Sequence, residues 1–193
     1  ASKFSNVPII NAGSGSGEHP TQALLDLLTI RSLKGKIDGL SIGLIGDLKN
    51  GRTTHSLSYL LSHYKVKLYF ISPDALSMQY SVKDVLQRRG CFFKETNKLK
   101  KTLPELDVLY MTRVQKERFS DPDEYEKLKD AFIFEEDDLK SLKEDAIIMH
   151  PLPRVNEIAA AVDKDPRAKY FEQIYYGVML RKALLAVVMG LME

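Results

Sequence analysis

A repeated alternation of short apolar runs and helical stretches limits this chain more than any other feature. Leu40 to Ile45 reads as a buried strand and Thr53 to Tyr64 as the helix after it. Val66 to Ile71 and Ala75 to Arg89 repeat the pair, and Cys91 to Lys94, Val108 to Met111 and Ala146 to Met149 add three further strands. Strands alternating with helices predict an α/β fold: a Rossmann-like parallel sheet with helices on both faces. Upstream, Val7 to Ile10 is short and apolar, and Gly13-Ser-Gly-Ser-Gly17 reads as a flexible loop. Pro20 fits the first turn of a helix that runs to about Leu33 and is ended by Gly35. The last segment, Ile174 to Leu191, is apolar nearly all round, which predicts a helix buried on several sides.

The 193 residues suit one domain with flanking helices, and 44% apolar content permits a sizeable core. Net charge is +2 with both signs interspersed. No basic stripe marks a nucleic-acid binder, and Lys94 to Lys101 reads as a solvated loop. The single cysteine, Cys91, cannot form an internal disulfide; it is expected to be a buried structural thiol in a reducing cytosol. No secretory or transit peptide opens the sequence, and the apolar run Ala183 to Met192 is too short to span a bilayer, so no membrane partner is expected. His55 and His63 lie within a helix and read as structural. No two-His or Cys-His spacing suggests a metal, and no metal or cofactor is expected. Gly13-Ser-Gly-Ser-Gly17 is not a P-loop, Gly43 and Gly46 lack the third glycine of a dinucleotide fingerprint, and no G-x-S-x-G elbow occurs.

In open parallel sheets ligands bind beyond the carboxyl ends of the strands. Three charged or conformationally restricted loops fall there: Gly46-Asp-Leu-Lys-Asn-Gly-Arg-Thr-Thr, Thr112-Arg-Val-Gln-Lys-Glu-Arg and His150-Pro-Leu-Pro-Arg. Arg52 sits where a helix starts, so it is either an anion clamp or a surface arginine. Arg113 and Gln115 are two apart in an extended segment and point the same way, which lets them share one ligand. Glu117 and Arg118 read as supports, pairing with each other or with Asp47 and Lys49. His19 and Gln22 open the first helix with groups able to meet a carbonyl and an amide. Leu152, between two prolines, is held extended, and Leu152-Pro153 is a candidate cis bond. That turn either exposes carbonyls to a ligand or is only a tight connection.

Four segments taken together, His19-Pro-Thr-Gln-Ala-Leu-Leu-Asp26, Gly46-Asp-Leu-Lys-Asn-Gly-Arg-Thr53, Tyr110-Met-Thr-Arg-Val-Gln-Lys-Glu-Arg118 and His150-Pro-Leu-Pro-Arg-Val-Asn-Glu157, resemble aspartate carbamoyltransferases in order and approximate spacing. Ornithine enzymes typically carry a cysteine where Thr21 stands and His-Cys-Leu-Pro where this chain has His-Pro-Leu-Pro; both differences favour aspartate. The resemblance implies transfer of the carbamoyl group of carbamoyl phosphate to L-aspartate, early in pyrimidine synthesis. It implies that His19 and Gln22 contact the carbamoyl group, with His19 as the catalytic donor, and that backbone oxygens of Leu152 and Pro153 receive its amino group. It implies Arg52, Arg113 and Gln115 as holders of the aspartate carboxylates, and Asp47, Lys49, Glu117 and Arg118 as supports of the closed state. Asn156 stands where some relatives carry an acidic residue.

The resemblance also implies an amino-terminal domain with a Ser-Thr-Arg-Thr phosphate loop, and a serine and a lysine lent by a neighbouring subunit. Neither is found in this sequence. On this reading residues 1–35 are the end of the carbamoyl-phosphate domain with an interdomain helix, residues 36–170 the aspartate-binding domain, and residues 171–193 a second interdomain helix. The intact enzyme is then expected to be a cytoplasmic homotrimer, with a regulatory chain or fused pathway enzymes as further partners, and this chain is expected to be inactive alone. The alternatives are another carbamoyltransferase, such as the ornithine enzyme, or a non-catalytic assembly domain that keeps the fold.

Overall fold

A computed structural model describes residues 2–15 and 17–191. Five strands, β1 (Ser41–Ile45), β2 (Lys67–Ile71), β3 (Phe92–Thr96), β4 (Val108–Met111) and β5 (Ile147–Met149), form one all-parallel sheet in the order β3-β2-β1-β4-β5. β1 is central and every residue of β4 and β5 is buried, as uninterrupted apolar runs demand. β3 lies at one edge, where Lys94 and Glu95 keep it polar and exposed.

Alternate residues feed two cores. Ile42, Leu44, Leu68, Phe70, Val108 and Tyr110 face one side. They pack there with α1 (Pro20–Lys34), α2 (Arg52–Leu61) and α3 (Tyr80–Arg88). Ile45, Ile71, Leu109, Met111 and Ile148 face the other side, against Leu99, Leu103, Phe134, Val162 and Tyr170. Leu99 comes from α4 (Leu99–Thr102), Leu103 and Val162 from 3-10 turns at Leu103–Glu105 and Ala160–Lys164, Tyr170 from the start of α6 (Tyr170–Val188), and Phe134 from an isolated bridge to Ile158. Both faces are therefore covered, one by full helices and the other chiefly by short ones. The remaining helix, α5 (Pro122–Leu128), buries none of its residues.

Several expected elements shift. The helix expected from Ala75 starts at Tyr80, because a 3-10 turn at Asp74–Leu76 ends where Ser77 turns extended and bonds the Asp74 carbonyl. Lys94 to Lys101 is no loop: it spans the end of β3 and most of α4, with all four lysines exposed and Leu99 buried. Cys91 is only half-buried, and burial pushes its thiol up. No strand forms at residues 7–10. Part of the expected glycine-serine loop, Ser16, lies outside the described residues.

The last helix begins four residues earlier than expected and is covered on one side only. Tyr170, Gln173 and Gly177 are buried, whereas Ile174, Tyr175, Val178, Leu185 and Val187 are exposed. Gly177 is where α6 meets Leu25 of α1. None of the described helices is long and apolar enough to cross a membrane.

Candidate active site

The loops after β1, β4 and β5 converge with the start of α1 at the carboxyl edge of the sheet. Gly46 makes the convergence possible: its φ is +114°, and a Cβ there would lie 2.2 Å from the Thr112 carbonyl oxygen. Gly51 is equally confined, with an added Cβ 2.4 Å from the Asp47 carbonyl. Buried Asp47 shapes the loop between them, accepting from Asn50 N at 2.9 Å and Asn50 Nδ2 at 3.2 Å. Burial pushes its carboxyl up, partly offset by the bonds from Asn50 and from the Gln115 backbone. Asp47 thus braces the β1 loop, which Gln115 Nε2 of the β4 loop reaches at the Asn50 carbonyl, 3.4 Å away. Lys49 is exposed and does not line the pocket; its carbonyl accepts from Gln79 Nε2 at 2.7 Å.

The result is one pocket of about 260 Å³ that brings His19, Gln22, Arg52, Arg113, Gln115, Leu152 and Pro153 together. Thr53 and Thr112 also line it; sequence reasoning passed over them although they flank the two arginines. Arg52 is the first residue of α2, so its charge adds to the positive end of that helix. Its Nη1 donates to the Gly15 carbonyl at 3.2 Å, and Arg118 Nη2 reaches the same carbonyl at 3.1 Å. Arg113 pairs with Glu117, not Glu117 with Arg118. The hydrogen bond from Arg113 holds the Glu117 carboxyl below its usual range and raises the guanidinium in turn. Glu117 therefore aims the Arg113 fork, and Arg118 stands free of it.

His19 precedes α1, with its backbone N–H on Ser56 Oγ at 2.9 Å. Burial, then the positive charges of Arg52 and Arg181, push its pKa below the ordinary 6.5. Its imidazole is hence neutral at pH 7, a hydrogen-bond donor that carries no charge. His150 plays a different part. Leu152 N–H donates to its Nδ1 at 2.8 Å, so Nε2 carries the proton and meets Glu157 Oε1 at 2.7 Å. Burial works against ionised Glu157, but bonds from His150 and the Val155 backbone hold its carboxyl below the usual range. The buried His150–Glu157 pair thereby fixes the Leu152–Pro153 turn; its peptide bond is cis, but Leu152 is not extended as expected and has the left-handed φ of +51°. Asn156 donates to Asp130.

Beneath the pocket lies a network that the sequence did not reveal. Asp26 of α1 is fully buried and accepts from Gln22 Nε2 at 2.9 Å, Tyr110 Oη at 2.7 Å and Gln173 Nε2 at 2.6 Å. Gln173 Oε1 accepts from His150 N–H at 3.1 Å. Burial pushes the Asp26 carboxyl up to about 7, against the bonds from Tyr110, Gln173 and Gln22. Among the described residues no group of three His, Cys, Asp or Glu side chains gathers as a metal site would require.

A parallel α/β sheet here gathers two arginines, a neutral histidine and a proline turn at its carboxyl edge, an arrangement able to receive a small anion. The family model "Aspartate/ornithine carbamoyltransferase, Asp/Orn binding domain" matches residues 38–188, and the companion carbamoyl-P binding domain of that family matches residues 1–32. The chain belongs to the aspartate/ornithine carbamoyltransferase family. It is 51% identical over 192 residues to the aspartate carbamoyltransferase catalytic subunit of Clostridium botulinum, covering 98% of this chain and 62% of that relative. The catalytic subunit of M. jannaschii aspartate transcarbamoylase superposes with a TM-score of 0.89 at 48% identity, over 98% of this chain and 61% of that one. Aspartate transcarbamoylase from Trypanosoma cruzi, in complex with N-(phosphonacetyl)-L-aspartic acid, gives a TM-score of 0.86 at 44% identity, over 95% and 58%. The chain thus spans about three fifths of the length of these relatives.

Proposed function

We propose that this chain supplies the aspartate-binding half of an aspartate carbamoyltransferase. The observation that carries the reading is the single pocket in which Arg52, Arg113 and Gln115 share a wall with His19, Gln22 and the Leu152–Pro153 turn. Two guanidiniums suit the two carboxylates of L-aspartate, with Gln115 lining the same pocket. The aspartate amine attacks the carbonyl carbon of carbamoyl phosphate. The new N–C bond forms, the bond from that carbon to the bridging phosphate oxygen breaks, and the amine's proton passes to the departing phosphate. The neutral imidazole of His19 donates to the carbonyl oxygen as negative charge develops there. Gln22 and the Leu152 and Pro153 carbonyls take the amino end. No protein nucleophile is needed; holding two anions in reacting geometry supplies much of the rate.

Residues 1–35 close the carbamoyl-phosphate domain, residues 36–170 bind aspartate, and α6 lies between the two domains. The exposed apolar residues of α6, among them Ile174, Val178 and Leu185, support that last assignment, because such a face is stable when another domain covers it. The intact enzyme works in the cytoplasm as a homotrimer, alone or with a regulatory chain or fused pathway enzymes. The test is a radiolabelled carbamoylation assay. The protein joined to its carbamoyl-phosphate half forms carbamoyl-aspartate and ignores ornithine, whereas the 193 residues alone form none. Robust product from these residues alone, or a preference for ornithine, refutes the assignment.

A further inference from the structure

Asp26 takes no part in the chemistry just described, yet the pocket floor is built around it. Gln22 reaches it directly; Tyr110 reaches its second oxygen; Gln173 links it to the His150 backbone. Gln22 and Thr53 both line the pocket. Four segments of chain therefore meet at one carboxylate that solvent does not touch.

An ionised carboxylate only accepts hydrogen bonds. The Gln22 amide has two chemically different ends, and this carboxylate tolerates only the NH2 end. With Nε2 turned to Asp26, Oε1 is left for the pocket, and among the described residues it has no hydrogen-bond partner. A protonated Asp26 would present a donor, and the amide would then be free to reverse.

We propose that Asp26 is a positioning residue: as a carboxylate it fixes the Gln22 carbonyl toward the pocket, so that the site selects a ligand N–H over a methyl group of the same size. The proposal rests on the reading of the pocket given above. The groups facing Asp26 are Gln22 on its own helix, Tyr110 on β4, and Gln173 and the positive Arg181 on α6, with uncharged Thr53 of α2 behind Tyr110. Asp26 is the acid among them whose carboxyl burial places near 7.

The test compares carbamoyl phosphate with acetyl phosphate, which replaces the NH2 by CH3 and keeps the carbonyl and phosphate. Their affinities are measured between about pH 5.5 and 8 in the protein joined to its carbamoyl-phosphate half, unmutated and as Asp26→Asn. The ratio of the two cancels the titration of the shared phosphate and of His19, which meets the carbonyl both ligands carry. In the unmutated protein the preference for carbamoyl phosphate falls about tenfold as pH drops, the effect of one lost hydrogen bond. In Asp26→Asn, which has no proton to gain, the ratio is flat. A flat ratio in the unmutated protein, or the same slope in Asp26→Asn, overturns the proposal. A fold-only role for Asp26 would weaken both ligands together and leave the ratio alone. If neither ligand binds the unmutated protein, the carbamoyl-site reading fails and takes this proposal with it, a result distinct from binding without the pH trend.

Discussion

Arg113→Ala, made in the protein joined to its carbamoyl-phosphate half, separates the two substrates. The Arg113 side chain is 29% exposed, and its fork is held by Glu117, with Nη1 3.2 Å from Oε2. A carboxylate bound to the N–H groups that Glu117 leaves free gains two charge-assisted hydrogen bonds. Each contributes about 1.5–3 kcal/mol, and partial exposure argues for the lower end. The substitution therefore costs about 3 kcal/mol, or roughly 150-fold in aspartate affinity. Carbamoyl phosphate, bound by other residues, should change by less than about twofold. Arg113→Lys keeps the charge without the planar fork and should fall between. Steady-state kinetics with each substrate varied in turn reads both numbers. Equal losses for the two substrates, or full activity in Arg113→Lys, would refute the carboxylate-clamp assignment.

Asp26 also predicts a pH dependence of stability. Its carboxyl stands near 7 when folded, against 3.8 when free, so the folded state holds the proton that the unfolded chain has lost. Stability should therefore fall by on the order of a few kcal/mol as pH rises from about 4 to 7, and Asp26→Asn should flatten that slope in thermal melts. Gly46→Ala should destabilise by roughly 2–4 kcal/mol in urea, because the added Cβ meets the Thr112 carbonyl in a backbone conformation that suits glycine. An unchanged midpoint would show that the loop relaxes freely.

Sequence alone exposed the sheet because β1, β2 and β4 are continuous apolar runs buried on both faces. The start of α3 was missed because a side-chain bond from Ser77 overrides helical periodicity there. α5 went unseen although its signal was present: Asp121 caps it by accepting from Asp123 N, and Pro122 is its first residue. The pocket residues were legible because topology sends strand ends to one edge. Glu117 was paired wrongly because Arg113 and Arg118 compete for it, and the 3-10 turn at Lys116–Arg118 brings the i,i+4 partner within reach. The Asp26–Gln173 bond was not legible at all, since its partners are 147 residues apart and meet only where α1 packs on α6.

On the reading proposed above, the aspartate half of one divided site lies on this chain. A crystal structure of the protein joined to its carbamoyl-phosphate half, with N-(phosphonacetyl)-L-aspartate bound, tests it most directly. The ligand's carboxylates are expected on Arg52, Arg113 and Gln115, its carbonyl oxygen on His19, and its phosphonate beyond these residues on the other domain. Carboxylates bound away from Arg52 and Arg113, or a phosphonate seated on them, would contradict it.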